Sequence, residues 1–487
     1  MHTRSSAQTL KKTAMLVASM IATGGVGAAN VDFHGDFNNR FQVYTNQNNF
    51  FNDNQANATL GDTTGKASVD DSYGEIKYRL WTTASTDDDS VKGVYAVEIG
   101  GVRFGRSGTG RSQGGSFSGD GANIETRWAY TEFTLPANES HSVRVGLQPY
   151  DLNGFIWNET ATGISFSGPV TDETIYSAAW VRGKERRNES AADDFQAVDA
   201  YSLRLNNKTI NNTALGAFLL YQVSDSGATA PSGFGNVSSA NYGIKQFGDV
   251  DFEVFSLGIE GSHSLPLDSS TAFVKWDLIY QNGAISNANY ISDDLEADRS
   301  GRTSTSSSFD LSTYFVNLSF GLEQGRTKYT YTIWYASGDD NPGDNKMNAF
   351  LSTDVDRTES IVFFEGGYTD DQIHSERPYL LDKGLIMNRF GLDHKCSPKL
   401  TMGGAAIYFL TAEDIKYKDD NNIARTSSDL GVEVDVYANY MVYPSLELAV
   451  NAGYLLSNEA MDFYDSKRDG KADNDIFRTT AKMRYKF

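Results

Sequence analysis

From Phe477 to the last residue the chain alternates strictly. Phe477, Thr479, Ala481, Met483, Tyr485 and Phe487 share one parity, and Arg478, Thr480, Lys482, Arg484 and Lys486 share the other. A period of two is that of a β-strand, whose successive side chains point to opposite faces. Here one face is apolar and the other carries four cations. A strand in a soluble core has no water to offer its second face, whereas a strand between lipid and a watery lumen requires this alternation. The rows Val432, Val434, Val436, Ala438, Tyr440, Val442 and Leu446, Leu448, Val450, Ala452, Tyr454, Leu456 repeat it, with Glu433, Asp435, Tyr437, Asn439, Glu447 and Asn451 between them. Those polar groups would each cost several kcal/mol in hydrocarbon and nothing unusual in a hydrated lumen. Tyr314, Val316, Leu318, Phe320, Leu322 and Tyr329, Tyr331, Ile333, Tyr335 form two further rows.

The same periodicity predicts strands at 31–45, 73–85, 91–101, 123–135, 142–148, 162–170, 174–183, 196–206, 213–225, 250–265, 270–285, 308–323, 327–338, 384–394, 399–412, 428–443, 445–456 and 475–487. Connections after even-numbered strands have six residues or fewer, and those after odd-numbered strands twelve or more. Short turns alternating with long loops are the signature of a single-chain membrane barrel. The fold class expected is therefore all-β, a transmembrane antiparallel up-and-down β-barrel of 18 strands, with 16 as the next count. Proline cannot donate to a ladder; eight of the nine prolines fall in expected turns or loops, and Pro169 lies at a strand end.

Arg4, Lys11 and Lys12 precede an apolar run from Thr13 to Ile21 and the small residues Val26 to Ala29, the pattern of a secretory signal peptide. The expected organisation is a signal peptide at 1–29 and one barrel domain at 30–487. Mean hydropathy is -0.43, which looks soluble. Hydropathy misleads here, because half of each barrel strand faces water and long loops dilute the rest. The formal net charge of -21 becomes -24 without the three leader cations, which argues against nucleic acid as a partner. Cys396 is the single cysteine, so one protomer has no disulfide framework. The six histidines show neither metal-ligand spacing nor a haem motif.

A closing strand that ends in Phe487, with Tyr485 two residues before it, resembles the assembly signal of Gram-negative outer-membrane porins. The alternating turn lengths and the loop positions are similar to that superfamily over the whole mature chain. The resemblance implies an outer-membrane location, insertion by the barrel assembly machinery, contact with lipid and lipopolysaccharide, and a homo-oligomer (a trimer) or a monomer. It also implies that the loop after the fifth strand, Pro149 to Ala161, folds into the lumen and narrows it. Eighteen strands is similar to the substrate-selective groups that take sugars, organic acids or phosphate.

Candidate pore-lining residues follow from parity. Arg40, Lys77 and Arg79 are inward on the first two strands, and Arg478 and Lys482 are inward on the last, which must close against the first. Arg144, and beside it Arg127, extend this basic sector. Glu433 and Asp435 sit near it with opposite sign, and Asp151 and Glu159 on the fifth-strand loop are expected to face the bases. Opposed charges around a narrow lumen would orient a dipolar solute. Acid clusters at Asp339, Asp340, Asp344 and at Asp462, Asp465, Asp469, Asp473, Asp475 mark two outer loops. The run Asp465 to Gly470 begins like a calcium loop, but Lys467 and Ile476 occupy ligand positions, so calcium or another divalent cation is only loosely suggested and no other cofactor is expected. The glycine-rich segment from Gly105 to Gly121 matches no phosphate loop, and the 45-residue loop 339–383 is expected to cap the mouth or dock a partner.

These readings imply a non-enzymatic porin passing small hydrophilic or charged solutes, with a tilt towards small organic acids. Two rivals stand beside it. A receptor or surface protein would have its lumen blocked by loops. An outer-membrane hydrolase would need a nucleophile and base on adjacent inward positions; His34, with Asp32 and Asp36, and His141 and His263 lie at periplasmic strand ends, and no inward Ser and His pair appears at the outer rim.

Overall fold

The computed structural model describes residues 30–47, 69–106, 115, 124–187, 195–224, 251–291, 304–340, 345–355, 357–364, 379–380, 383–465, 467–472 and 475–487. The leader segment, Asp344, Asp473 and most of the glycine-rich segment lie outside the described residues. Eighteen strands build the wall: β1 Asn30–Gln47, β2 Val69–Ser85, β3 Val91–Arg103, β4 Glu125–Leu135, β5 Asn138–Asn153, β6 Trp157–Pro169, β7 Thr174–Arg187, β8 Phe195–Ile210 and β9 Thr213–Ser224. They continue as β10 Asp251–Pro266, β11 Ser270–Ile291, β12 Ser304–Gln324, β13 Thr327–Ala336, β14 Leu385–Lys395, β15 Leu400–Lys418, β16 Ala424–Tyr443, β17 Leu446–Ser457 and β18 Ile476–Lys486. Each strand pairs antiparallel with its sequence neighbour, and β18 returns to β1 through Asp36↔Lys486 to Thr45↔Phe477, so the sheet closes. Closure removes both sheet edges, as a chain crossing lipid requires.

Local chemistry sets the tight turns. Asn211 and Asn212 both have positive φ, the backbone that a two-residue hairpin between Ile210 and Thr213 demands. Gly325, φ +60°, opens the equally short turn between Gln324 and Thr327. Pro149 is a correction to the sequence reading. It lies inside β5, opposite Thr160, because β5 and β6 run on well past their expected ends of 148 and 162.

The two faces separate as the alternation predicted. Val432, Val434, Val436, Tyr440, Leu448, Val450, Tyr454, Leu456, Tyr314, Phe320, Met483, Tyr485 and Phe487 are exposed apolar side chains on the outside. Glu433, Asp435, Asn451, Arg478, Thr480 and Lys482 are buried on the inside. At the seam the backbone of Phe487 exchanges hydrogen bonds with Gly35 at 3.0 and 3.1 Å, and its ring packs on Phe37 and Tyr485.

Two segments then occupy the lumen. The extended β5–β6 hairpin crosses it, since Phe155 at its tip packs against Phe315 of β12 and edge-to-face on Trp334 of β13, across the barrel from β5. The chain between β13 and β14 also folds inward. Its Lys346–Met347 pairs with Asp310 and Leu311 of β12 in parallel, and Phe350, Ile361, Val362, Phe363, Phe364, Tyr379 and Leu380 are all buried. The described parts of this segment, expected to cap the mouth or dock a partner, are packed largely inside the wall.

Candidate functional site

The lumen divides into a charged half and a mainly apolar half, the latter bordered by an ion pair of Arg204 on β8 with Glu260 on β10. The charged half is the inner face of β1–β5, β17 and β18, where cross-strand register sets bases against acids. Arg40 lies directly opposite Glu75, Arg79 opposite Glu98, and Glu132 opposite Arg144. The resulting ion pairs are Arg40–Glu75 at 2.6 Å, Arg79–Glu98 at 2.5 Å, Lys77–Glu98 at 3.5 Å, Arg144–Glu132 at 2.6 Å and Lys482–Glu447 at 2.9 Å, with Arg484 on Asp36. Gln42 donates to Glu75 at 2.8 Å and accepts from Arg478, which knits β1, β2 and β18 together at the seam.

These pairs differ in their access to water, and that decides their work. The Arg40 and Glu75 side chains are each 5% exposed, so both charges are desolvated and breaking the pair would leave one buried charge uncompensated, a loss of about 3–5 kcal/mol. Arg144 and Glu132 keep 33% and 26%, so their mutual stabilisation is at most about 1 kcal/mol and their charges stay in contact with water. Arg79, and the Arg127–Glu159 pair at 2.6 Å, are also partly open.

The apolar half is a composite plug. Tyr150, Leu152, Phe155, Ile156 and Trp157 from the hairpin join Phe350, Val362, Phe363, Phe364 and Tyr379 from the β13–β14 connection in one cluster. That cluster continues onto inward side chains of the wall, among them Phe315, Trp334, Met387, Ile407 and Phe409. Each large side chain buried there contributes about 1.5–3 kcal/mol. Polar contacts fix the two inserts to each other. Thr353 N donates to Ile156 O at 2.7 Å, Asn158 N to Asp354 O at 2.9 Å, and Tyr379 Oη to Phe155 O at 2.8 Å. The Arg357 guanidinium lies 4.0 Å over the Phe155 ring, donates to Gly154 O and pairs with Glu359. Asn153 ties the hairpin to the wall through Glu260 at 2.7 Å and Asp277 at 2.9 Å.

Glu433 and Asp435 anchor the second insert. Glu433 accepts from Ser360 Oγ, from Ile361 N at 2.8 Å, from Val362 N at 2.7 Å and from Phe363 N at 3.2 Å. Asp435 accepts a longer bond, 3.2 Å, from the same Ile361 N. Gly453 on β17 makes the space, since a Cβ there would stand 2.6 Å from Asp435 Oδ1 and 2.9 Å from Ile361 Cβ.

The predicted site residues therefore sort into three groups. Arg79, Arg144 and Glu159 stand on the partly open charged wall, Glu159 against Arg127. Arg40, Lys77, Arg478 and Lys482 are inward but buried, packed into the ion-pair knot at the seam, which corrects their expected role as water-lining charges. Glu433 and Asp435 do not oppose the bases, for the insert covers them. The side chain of Asp151 is exposed and its carbonyl accepts from Arg204, so it is not set against Arg40, Arg79 or Arg144. Sequence reasoning passed over Glu75, Glu98 and Glu132, although Glu75 shares the parity of Lys77 and Arg79. It also passed over the insert, for which the four consecutive apolar residues Ile361 to Phe364 are the signal.

Several of the acidic outer-loop residues have protein partners. Asp462 accepts from Tyr417 Oη and from Asp469 N and Gly470 N, at 3.1 and 3.0 Å, and burial raises its carboxyl above the usual range. Asp469 pairs with Lys467, and Asp339 accepts from Asn348 N at 3.2 Å. Among the described residues no three His, Cys, Asp or Glu side chains converge on a point suited to a metal ion. His34 stacks on Trp81 at 5.3 Å, while His141 and His263 bond to Ser140 and Thr213 near their strand ends.

The fold defines the class: an 18-strand antiparallel barrel with an apolar exterior, built to cross a membrane. No family model and no curated protein matches the chain. Among solved structures it is similar to Pseudomonas aeruginosa OccK8 (OprE), with 11% identity, 94% of this chain and 98% of that one covered, and a TM-score of 0.49. It is also similar to Acinetobacter baumannii OccAB3, at 8% identity, 94% and 99% coverage and a TM-score of 0.49. Pseudomonas aeruginosa OpdK with vanillate gives 10%, 94%, 98% and 0.45. At that distance the likenesses assign neither family nor solute to this chain.

Proposed function

We propose that the chain is an outer-membrane porin through which small hydrophilic solutes diffuse passively along the charged half of the lumen. The observation that carries this reading is the row of partly water-exposed charges Arg79, Arg127, Arg144, Glu132 and Glu159 on the inner wall, beside a largely apolar plug that fills much of the remaining width. Because each of these bases contacts an acid, the wall offers both signs side by side, and the preference for anions over cations is weak. This replaces the tilt towards organic acids that unpaired arginines would have supported. Single-channel recording in planar bilayers tests the reading: discrete ohmic steps with a small reversal potential in a salt gradient support it. A protein that inserts as a folded barrel and passes no current contradicts it. The composite plug is the specific observation behind a second reading, a surface receptor whose lumen is closed, and the same experiment separates the two.

A further inference from the structure

Three rings line up on the inner face of the charged wall and belong to neither the ion pairs nor the plug. His34, Trp81, Ala96 and Trp128 are register partners across β1 to β4, so their side chains share one row. Their sequence neighbours Phe33, Leu80 and Tyr95 are exposed on the lipid side, which fixes that row inside. His34 stacks on Trp81 at 5.3 Å, and the Trp81 and Trp128 rings meet edge to face at 5.7 Å. Ala96 makes that meeting possible: its small side chain stands between the two indoles, and only 2% of the residue is exposed. All three rings are half-buried. Among the described residues neither indole N–H has a partner and neither is buried, so both face water.

We propose that Trp81 and Trp128, backed by His34, form a stacking shelf for the pyranose ring of a neutral sugar. The margin of the shelf carries both signs of charge. Asp36, Arg79 and Glu98 form the next inward row, with Arg79 on Glu98 at 2.5 Å and Arg484 on Asp36. Arg127, beside Trp128 in the chain, holds Glu159 at 2.6 Å. Flat apolar faces edged by fixed donors and acceptors match a molecule with the same division, and a pyranose has it: C–H groups on the ring faces, hydroxyls round the edge. The polarised C–H groups meet the negative face of an indole, while each hydroxyl can donate to a carboxylate and accept from a guanidinium. A planar anion fits less well, because Arg79 and Arg127 already hold acids that a second carboxylate would have to displace.

The inference deepens the porin reading and rests on it for its consequence, but its test needs no current. Saturation-transfer difference NMR on the purified barrel in a sugar-free detergent reads the contact, with methyl β-glucopyranoside as the probe. Saturation should reach the ring C–H protons of the glucoside, and mannitol, an open-chain polyol without a ring face, should receive none. Trp81→Ala and Trp128→Ala should each weaken glucoside binding about tenfold, the effect of one aromatic contact. Trp180→Ala, on the outside of β7 where the indole donates to Asp199 at 3.0 Å, should leave it unchanged. If an alanine variant loses the heat-modifiable gel shift, leucine at the same position keeps apolar bulk without a ring face and should weaken binding equally, whereas phenylalanine should restore part of it. No saturation in the parent, binding that survives loss of both rings, equal saturation of mannitol, or tighter binding of benzoate than of the glucoside overturns the shelf. Glucoside binding without current in planar bilayers supports the shelf and sinks the porin reading; current without glucoside binding does the reverse.

Discussion

The two halves of the lumen are built from strands of the same period, yet they do opposite things. On β1–β5, β17 and β18 the inward residues meet one another across the register and form ion pairs. On the strands around Phe315, Trp334, Met387, Ile407 and Phe409 they meet apolar side chains carried in by two returning segments. Facing inward is therefore a property of the strand, whereas being wet depends on what the loops bring back. The contrast also separates charges shut away from water from charges in contact with it: Arg40–Glu75 is sealed at the seam, and Arg144–Glu132 is open to the lumen.

The largest expected effect lies at the seam that joins the charged strands. Replacing Phe487 by Asp puts a charge among Phe37, Tyr485 and lipid, and should abolish accumulation of heat-modifiable barrel. Lys486→Asp should leave most of it, since that side chain points into water near Asp36. Equal losses in the two variants would break the division of faces on which the comparison stands.

Next comes the plug. Trp334→Ala removes a side chain that touches Phe155, Phe315, Phe364 and the Arg357 guanidinium, and should cost about 3–5 kcal/mol of plug stability. Single-channel conductance should increase while the barrel keeps its gel shift, because the wall holds itself closed by its own ladder. An unchanged conductance would mean that the cluster does not limit the open width.

The two kinds of ion pair should respond differently to the same chemistry. Glu75→Gln strands Arg40 in a dry site and should lower resistance to unfolding by about 3–5 kcal/mol with little change in ion preference. Glu132→Gln should cost no more than about 1 kcal/mol and move the reversal potential towards anions. Arg144→Gln should move it by a similar amount towards cations. Urea unfolding and bilayer recording, run on all three, would sink the distinction if the sealed pair proved the more selective and the open pair the more stabilising.

How much of this the sequence could carry follows from range. Period two is local, so all eighteen strands were legible, down to the rows from Val432 to Leu456. Arg79 against Glu98 could be counted back from the short turn between Ser85 and Val91, because the register runs unbroken between them. The same count fails for Glu132 and Arg144, where a bulge at Thr134 and Leu135 shifts the register, and for Arg40 and Glu75, which are joined by a long loop. The insert was illegible for a different reason. Its contacts, such as Ile361 N to Glu433, span about seventy residues, and nothing near Glu433 distinguishes a carboxylate that faces water from one that receives three amides.

The central claim, one wet half and one dry half, is tested most directly by current block with a charged, thiol-reactive methanethiosulfonate in the Cys396→Ser background. Cysteine at Glu132 should be modified rapidly, with a stepwise fall in single-channel current, while cysteine at Ile407 should remain unmodified and the current unchanged. Rapid modification and block at Ile407, equal to that at Glu132, would show water throughout the lumen and contradict the account.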